Sequence, residues 1–290
     1  GSQLIAAVDS CRRKTTRHGG YVYHHSSGNS NRWGEGLAIQ TQIWVPPSNA
    51  YIGNTYLRAY SATGDRYYLN AATGTPAALI YGQLKSGGWT NAIDFDPMGK
   101  LAAHYRNSKG RGKNNSLLDD DQTTAAIRFL IPANKAHEFQ NVEIHQAVEQ
   151  ALNWLLDAQV KNGAFPQVWD DLVERNATTT RGVKANFPNF DGERKAEQEP
   201  RDLYTLNDNV AGNVAATLTQ ASDIYKSDRY LQALKNLGDF LILAQMPTPQ
   251  RGWAQHYNHQ MQPTWARKFE PPTISGDETQ ETIETLLLIA

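Results

Sequence analysis

The chain has 290 residues, 40% of them hydrophobic, enough to bury one large core, and its formal net charge of −1 gives no overall attraction to nucleic acid or a membrane surface. A single cysteine, Cys11, excludes a disulfide framework and a cysteine-based metal site. No apolar run reaches the ~18 residues needed to span a bilayer, so a soluble protein is expected.

The chain opens on Gly1-Ser2, which reads as a tag remnant. A basic cluster follows at Arg12, Arg13, Lys14 and Arg17, a pattern that usually marks a solvated face. Three similar phrases then punctuate the sequence: QLKSGGW at 83–89, QVKNGAF at 159–165 and QMPTPQRGW at 245–253, with a fainter HGGY at 18–21. Recurring phrases of this kind indicate a repeat architecture. Helical periodicity precedes each phrase; Tyr230, Leu234, Leu237, Phe240, Leu241 and Ala244 fall on one stripe. Each repeat therefore reads as a helix, a turn, a second helix and a Gly-aromatic exit. The first helices are predicted at Gly53–Ala62, Thr123–Pro132 and Val210–Tyr225, and their partners at Tyr67–Gln83, Ile144–Gln159 and Tyr230–Gln245. A further helix opens near Gly276 and runs to Ala290.

Apart from short pieces such as Ile43-Trp44-Val45, no β alternation appears, so the class is mainly α, an α/α toroid of antiparallel hairpins of the incomplete (α/α)3 type. Residues 1–290 read as one domain whose last hairpin is cut, because the chain ends inside the apolar run 286–290. Turns within hairpins are short. The connections 84–120, 160–207 and 246–275 are long and rich in Gly, Pro, Asn and Asp, which assigns function to the face they share.

Two of these connections end in acids. LDDDQT at 118–123 opens the second inner helix and LNDN at 206–209 the third. Asp and Asn cap helices, but three consecutive acids exceed what a cap needs. Clustered with Asp208, these acids suit a hard cation such as Ca²⁺, which takes about six to eight oxygens and accepts some from a substrate; Asp119 and Asp121 are the first candidates with Asp208, and which of Asp119, Asp120 and Asp121 meets the ion stays open. The remaining cations, Arg106, Lys109, Arg111 and Lys113 on one long loop and Arg267 with Lys268 on another, favour an anionic ligand. Pro271-Pro272 keeps Arg267 and Lys268 out of any helix, on a loop held by Trp265 and Phe269. Trp169 and Trp265 are the aromatic candidates for ligand contact, whereas those inside the repeat phrases are structural. Phosphate loops, HExxH and GxSxG are absent, His24, His25, His256 and His259 read as hydrogen-bonded rather than metal-bound, and the Asn176-Ala177-Thr178 sequon is of a kind frequent by chance.

In order along the chain, LDDDQTTAAIRFL (118–130), GAFPQV (163–168), YTLND (204–208), WAQH (253–256) and WARKFEPPTISG (265–276) resemble the pectate lyases of polysaccharide lyase family ten, over about residues 80–285. The resemblance implies an α/α toroid that cleaves polygalacturonate by Ca²⁺-assisted β-elimination. It implies Asp119 and Asp208 in the calcium and substrate centre, and Arg267 as the base that removes the C5 proton of the uronate. Arginine is a difficult base because its pKa exceeds ~12, and crowding by Ca²⁺ and Lys268 is expected to lower it. Asp120-Asp121 stand where the family often has Asn-Gly. The family also implies a secreted or periplasmic bacterial protein with its signal peptide removed, a monomer acting on acidic polysaccharide.

Rival readings differ in what they require. A terpene cyclase-like toroid shares the Gln-to-Trp phrase but needs an apolar cavity and an Asp-x-Asp-Asp acid, where this chain has Asp94-Phe95-Asp96-Pro97 and charged loops. An inverting glycoside hydrolase would use Asp121 and Asp208 as acid and base and release a saturated product. A non-catalytic acidic-polysaccharide-binding relative would bind polymer without turnover.

Overall fold

The computed structural model describes residues 2–12, 18–28, 30–170, 182–187 and 202–290. Arg13, Lys14, Arg17 and the Asn176 sequon lie outside these residues. Backbone contacts group the chain into two compact units, Gly1–Leu117 with Ala125–Trp154, and Leu118–Thr124 with Leu155–Ala290. Nine α-helices are present among the described residues: α1 (Ser2–Arg12), α2 (Ala50–Thr63), α3 (Arg66–Ala72), α4 (Gly74–Gly82), α5 (Gln122–Ala136), α6 (Val142–Ala158), α7 (Val210–Tyr225), α8 (Asp228–Ala244) and α9 (Gly276–Ile289). Strands are two or three residues long and pair only in twos. None of the helices is long and apolar enough to cross a membrane.

In the first unit, α2 ends at Gly64 in the left-handed conformation, and Asp65 caps α3 by accepting from the Tyr67 backbone N–H at 2.9 Å. The stretch predicted as one helix, Tyr67–Gln83, is two. Pro76 has no N–H to offer the Ala72 carbonyl, and the ladder breaks at Thr73-Gly74. Conversely, α5 continues one turn past Pro132, where the sequence predicts its end. The short β reading is met by Gln42–Trp44, which pairs antiparallel with Ala92–Asp94.

The second unit is built on α7, which packs against both α8 and α9. All six residues of the predicted α8 stripe are buried. At ~25 cal/mol per Å² of apolar surface, each large member contributes roughly 1.5–3 kcal/mol.

The repeat phrases are built alike. Gln83 Nε2 donates to the Gly87 carbonyl (2.8 Å) and to Ala147 in α6 (2.9 Å). Gln159 Nε2 donates to Gly163 (3.0 Å) and to Ala233 in α8 (2.9 Å). Each glutamine thus closes its own exit turn and ties that turn to the second helix of the next hairpin. Gly163 has φ +97°, and a Cβ there would lie 1.9 Å from the Asn236 carbonyl, so both conformation and space require glycine. The aromatic that follows is buried in every copy: Trp89, Phe165 and Trp253. Trp89 Nε1 donates to Leu79 (2.8 Å) and Trp253 Nε1 to Leu241 (2.7 Å), anchoring exit loop to helix.

Candidate active site

The second unit contains two acid-bearing turns of matching design. Leu118-Asp119-Asp120-Asp121 leads into α5 and Leu206-Asn207-Asp208-Asn209 into α7, each through a single 3₁₀ turn, and the two turns are in contact. Both turns place two consecutive residues in the left-handed region: Asp120 (φ 45°) and Asp121 (φ 60°), then Asp208 (φ 54°) and Asn209 (φ 53°). Asp and Asn tolerate this region best among side-chain-bearing residues, at a cost of roughly 1–3 kcal/mol per site. Each turn hangs on a backbone bond from the exit loop of a neighbouring repeat: Leu118 N–H to the Gln167 carbonyl (2.9 Å) and Leu206 N–H to Gln255 (2.8 Å).

These turns bring Asp119, Asp120 and Asp208 together, with one carboxylate oxygen from each lying within 4.8 Å of the others. At such a spacing and an effective dielectric near 20, each pair of ionised carboxylates repels by about 3.5 kcal/mol or more. Buried Gln167 Nε2 donates to Asp119 Oδ1 (2.6 Å) and Asp208 Oδ2 (3.2 Å), and Asn207 Nδ2 donates to Asp208 Oδ2. Burial first, then the hydrogen bond and charge of Asp119 and the charge of Asp120, push the Asp208 carboxyl up to about 7, while Arg267 pulls it down. Three converging oxygens and an excess of negative charge are the donor set a hard cation fits, and Asp119, Asp120 and Asp208 would hold it.

One predicted ligand is replaced by its neighbour. Asp121 is buried and its Oδ1 accepts from Thr124 Oγ1 at 2.7 Å within the first turn of α5, so it stabilises the helix start, and Asp120 takes its place in the cluster. Trp169 is also corrected. Its side chain is 2% exposed, which leaves no face for a sugar to stack on. Arg111 is an exposed loop residue of the other unit. Trp265 is partly buried and Lys268 exposed.

Arg267 does lie on a loop, in the turn 267–270 closed by the Glu270 N–H on the Arg267 carbonyl (2.9 Å). Phe269, expected to hold that loop, is 64% exposed, and the Arg267 guanidinium lies over its ring at 4.9 Å. The anchor is Glu270 instead. Its carboxylate accepts from Arg267 N–H (2.9 Å), Nε (2.8 Å) and Nη2 (2.5 Å). The Glu270 hydrogen bond raises the Arg267 pKa, burial opposes it, and the charges of Glu270, Asp119 and Asp208 raise it further. Without a bound cation, Lys268 alone does not bring the expected lowering, because Glu270, Asp119 and Asp208 all raise the Arg267 pKa.

Gln167, Asn207 and Glu270 are the site residues the sequence reading left out, and it left open which of Asp119, Asp120 and Asp121 meets the cation. A signal existed for Gln167: it stands two residues after Phe165, as Gln255 stands after Trp253. In the third copy Gln255 Nε2 bonds Asn207 Oδ1 (3.0 Å) and Glu278 Oε1 (3.3 Å), the same role one repeat further on.

A family model described as pectic acid lyase matches residues 83–289. No curated protein gives a significant sequence match. Among solved structures, the family 10 polysaccharide lyase from Cellvibrio cellulosa aligns with a TM-score of 0.54 and 19% identity over 83% of this chain and 66% of that one. An aspartate-to-alanine mutant of a family 10 lyase from the same organism, in complex with trigalacturonic acid, aligns at 0.54 and 18% over 83% and 67%. Cellobiose 2-epimerase from Spirochaeta thermophila aligns at 0.56 and 12% over 97% and 62%. The chain spans about two thirds of the length of the solved lyases it matches. At these identities the likeness establishes the fold, which is mainly α and of the α/α toroid class. Since the family match runs through both acid-bearing turns, the glutamine exit phrases and the Arg267 loop, the chain belongs to the pectic acid lyase family.

Proposed function

We propose that this protein is a Ca²⁺-dependent polysaccharide lyase that cleaves polygalacturonate by β-elimination. The observation that carries the reading is the convergence of Asp119, Asp120 and Asp208 near an arginine whose electrostatics Asp119 and Asp208 already influence. A hydrolase would need one protonated and one ionised carboxyl facing each other across a water, and Asp121, its candidate partner for Asp208, is instead bonded to Thr124.

In β-elimination the C5–H bond breaks, the C4–O4 bond breaks and a C4=C5 double bond forms, while the departing O4 takes a proton from solvent. In this reading Arg267 accepts the C5 proton. Its Nε and Nη2 are engaged by Glu270, and half of its side-chain surface is open, 49% exposed. When bound, the cation would offset the carboxylate charge that holds Arg267 protonated and would draw electron density from the uronate carboxylate, acidifying C5. Asp119, Asp120 and Asp208 would hold the cation that meets the anionic substrate, and Gln167 and Asn207 orient Asp208. Trp265 and Lys268 flank Arg267 on the same loop and contribute an apolar face and a second cation for the uronate chain.

The test is incubation with polygalacturonate, with and without chelator, following the ultraviolet absorbance of the unsaturated product. Absorbance that grows with Ca²⁺ and stops with chelator is expected. A saturated product, or equal rates with chelator, would refute the reading.

A further inference from the structure

Beside the carboxylate cluster lies a second buried acid that the proposed chemistry does not use directly. Glu270 is 3% exposed. A carboxylate taken out of water must be compensated, and here burial, which alone would raise its pKa, is outweighed by the hydrogen bonds from Arg267, so Glu270 stays ionised. Its two oxygens are divided between the backbone and the side chain of one residue: Oε2 accepts from Arg267 N–H, and Oε1 accepts from Nε and Nη2. Such a carboxylate fixes both the turn and the plane of the guanidinium, a geometry that lysine cannot reproduce.

On its other side Glu270 meets His256. The His256 Nε2 is buried and lies 3.6 Å from Glu270 Oε2, beyond hydrogen-bond reach, and Nδ1 lies 3.3 Å from Thr205 Oγ1. Burial holds the His256 pKa below its ordinary value, so the ring is neutral. Thr205 pairs with His256 across the short antiparallel ladder Tyr204–Thr205 with His256–Tyr257, and the next three residues of that strand run into the turn carrying Asp208. A continuous set of packed groups therefore joins the metal-type cluster to Arg267 through Thr205, His256 and Glu270.

We propose that Glu270 is the positioning residue of this site: it locks the Nε/Nη2 edge of Arg267 so that the rest of the guanidinium is presented to the substrate, and His256 seats Glu270 against the strand that leads to Asp208. The inference rests on the lyase reading for its catalytic consequence, but the lock itself is testable without turnover.

Glu270→Gln keeps the shape and removes the charge, and Glu270→Asp keeps the charge one methylene shorter. With polygalacturonate and Ca²⁺, Glu270→Gln is expected to lower kcat by about 10- to 100-fold, the scale of a displaced catalytic group, with KM and Ca²⁺ affinity within about threefold of the parent. In an Arg267→Ala background the same change is expected to have no further effect on the residual rate, because Glu270 acts through Arg267. An additive loss in the double variant, or a loss confined to KM, would overturn the proposal. The second readout is hydrogen exchange of the Arg267 Nε–H by NMR. Slow exchange in the parent that becomes fast in Glu270→Gln and is partly restored in Glu270→Asp supports the lock. Fast exchange in the parent sinks it whether or not the protein proves to be a lyase, while slow exchange without any unsaturated product would retain the lock and discard the lyase reading.

Discussion

Asp208→Asn offers the most direct probe of the carboxylate cluster. The folded protein holds Asp208 up to about 7, against an ordinary value of 3.8, chiefly by burial and then by Asp119 and Asp120. A carboxyl whose folded pKa is raised favours the folded state while protonated. That contribution is complete below the unfolded value near 4 and is lost as pH rises through about 7. Converted without allowance for solvent, a shift of this size would correspond to about 4 kcal/mol. Asp208 is half-buried, and water screens it, so a loss on the order of 1–2 kcal/mol between pH 5 and pH 8 is expected. For a chain of this size that is a fall of roughly 2–8 °C in Tm. The assay is a thermal melt in chelator at pH 5 and pH 8, for the parent and for Asp208→Asn. The amide cannot ionise, so the variant is expected to lose less Tm than the parent across this interval and to exceed it at pH 8. Saturating Ca²⁺ at about 100 times its Kd would return about 2.7 kcal/mol to the parent and much less to the variant. A parent whose Tm in chelator falls no more than that of Asp208→Asn from pH 5 to pH 8 would refute the account of a cluster with excess negative charge.

Asp120→Ala is expected to weaken Ca²⁺ binding at least tenfold in calorimetry, whereas Asp121→Ala, which loses its bond to Thr124 at the helix start, is expected to lose about 1 kcal/mol of stability with Ca²⁺ affinity unchanged. Arg267→Ala should lower kcat by 10²–10⁴ with a smaller change in polymer affinity, and Arg267→Lys should recover little of it because an ammonium cannot make the paired contact with Glu270; kinetics at saturating substrate decide this. Gln159→Ala removes two hydrogen bonds to carbonyls and is expected to destabilise by about 2 kcal/mol in denaturant melts while kcat stays within twofold.

The fold was legible wherever a local pattern had one physical solution. The α8 stripe is buried as periodicity requires, and the repeat phrases are exit turns because glutamine, glycine and an aromatic at that spacing close a turn and bury a ring. Boundaries failed where one backbone group decides. The break before Pro76 depends on a single missing N–H, while Pro132 is absorbed within α5. The site was legible as a location but not as an assignment of atoms. Three consecutive acids announce a cluster, yet which two face it depends on φ: with Asp120 in the left-handed region, Asp119 and Asp120 reach the centre and Asp121 turns to Thr124.

The state of Arg267 shows why charge cannot be read from sequence neighbours. Lys268 is adjacent in the chain, and on that basis the arginine was expected to be crowded by a cation. A turn of four residues places Glu270, three positions on, against the guanidinium, and Pro271 follows to end the turn. Hydrogen-bonded contact with the buried carboxylate of Glu270 outweighs an exposed like charge on the next residue, which water screens. Asp119, Asp208 and Glu270 together therefore hold the arginine protonated in the ligand-free site, and any route by which it becomes a base must first offset part of that charge. A dication among the first two would do so, while leaving the third free to keep the side chain in place. In the proposed reaction the acids of the two turns and the acid of the loop thus have opposite tasks at one guanidinium, and only Glu270 must remain unneutralised for Arg267 to stay aligned.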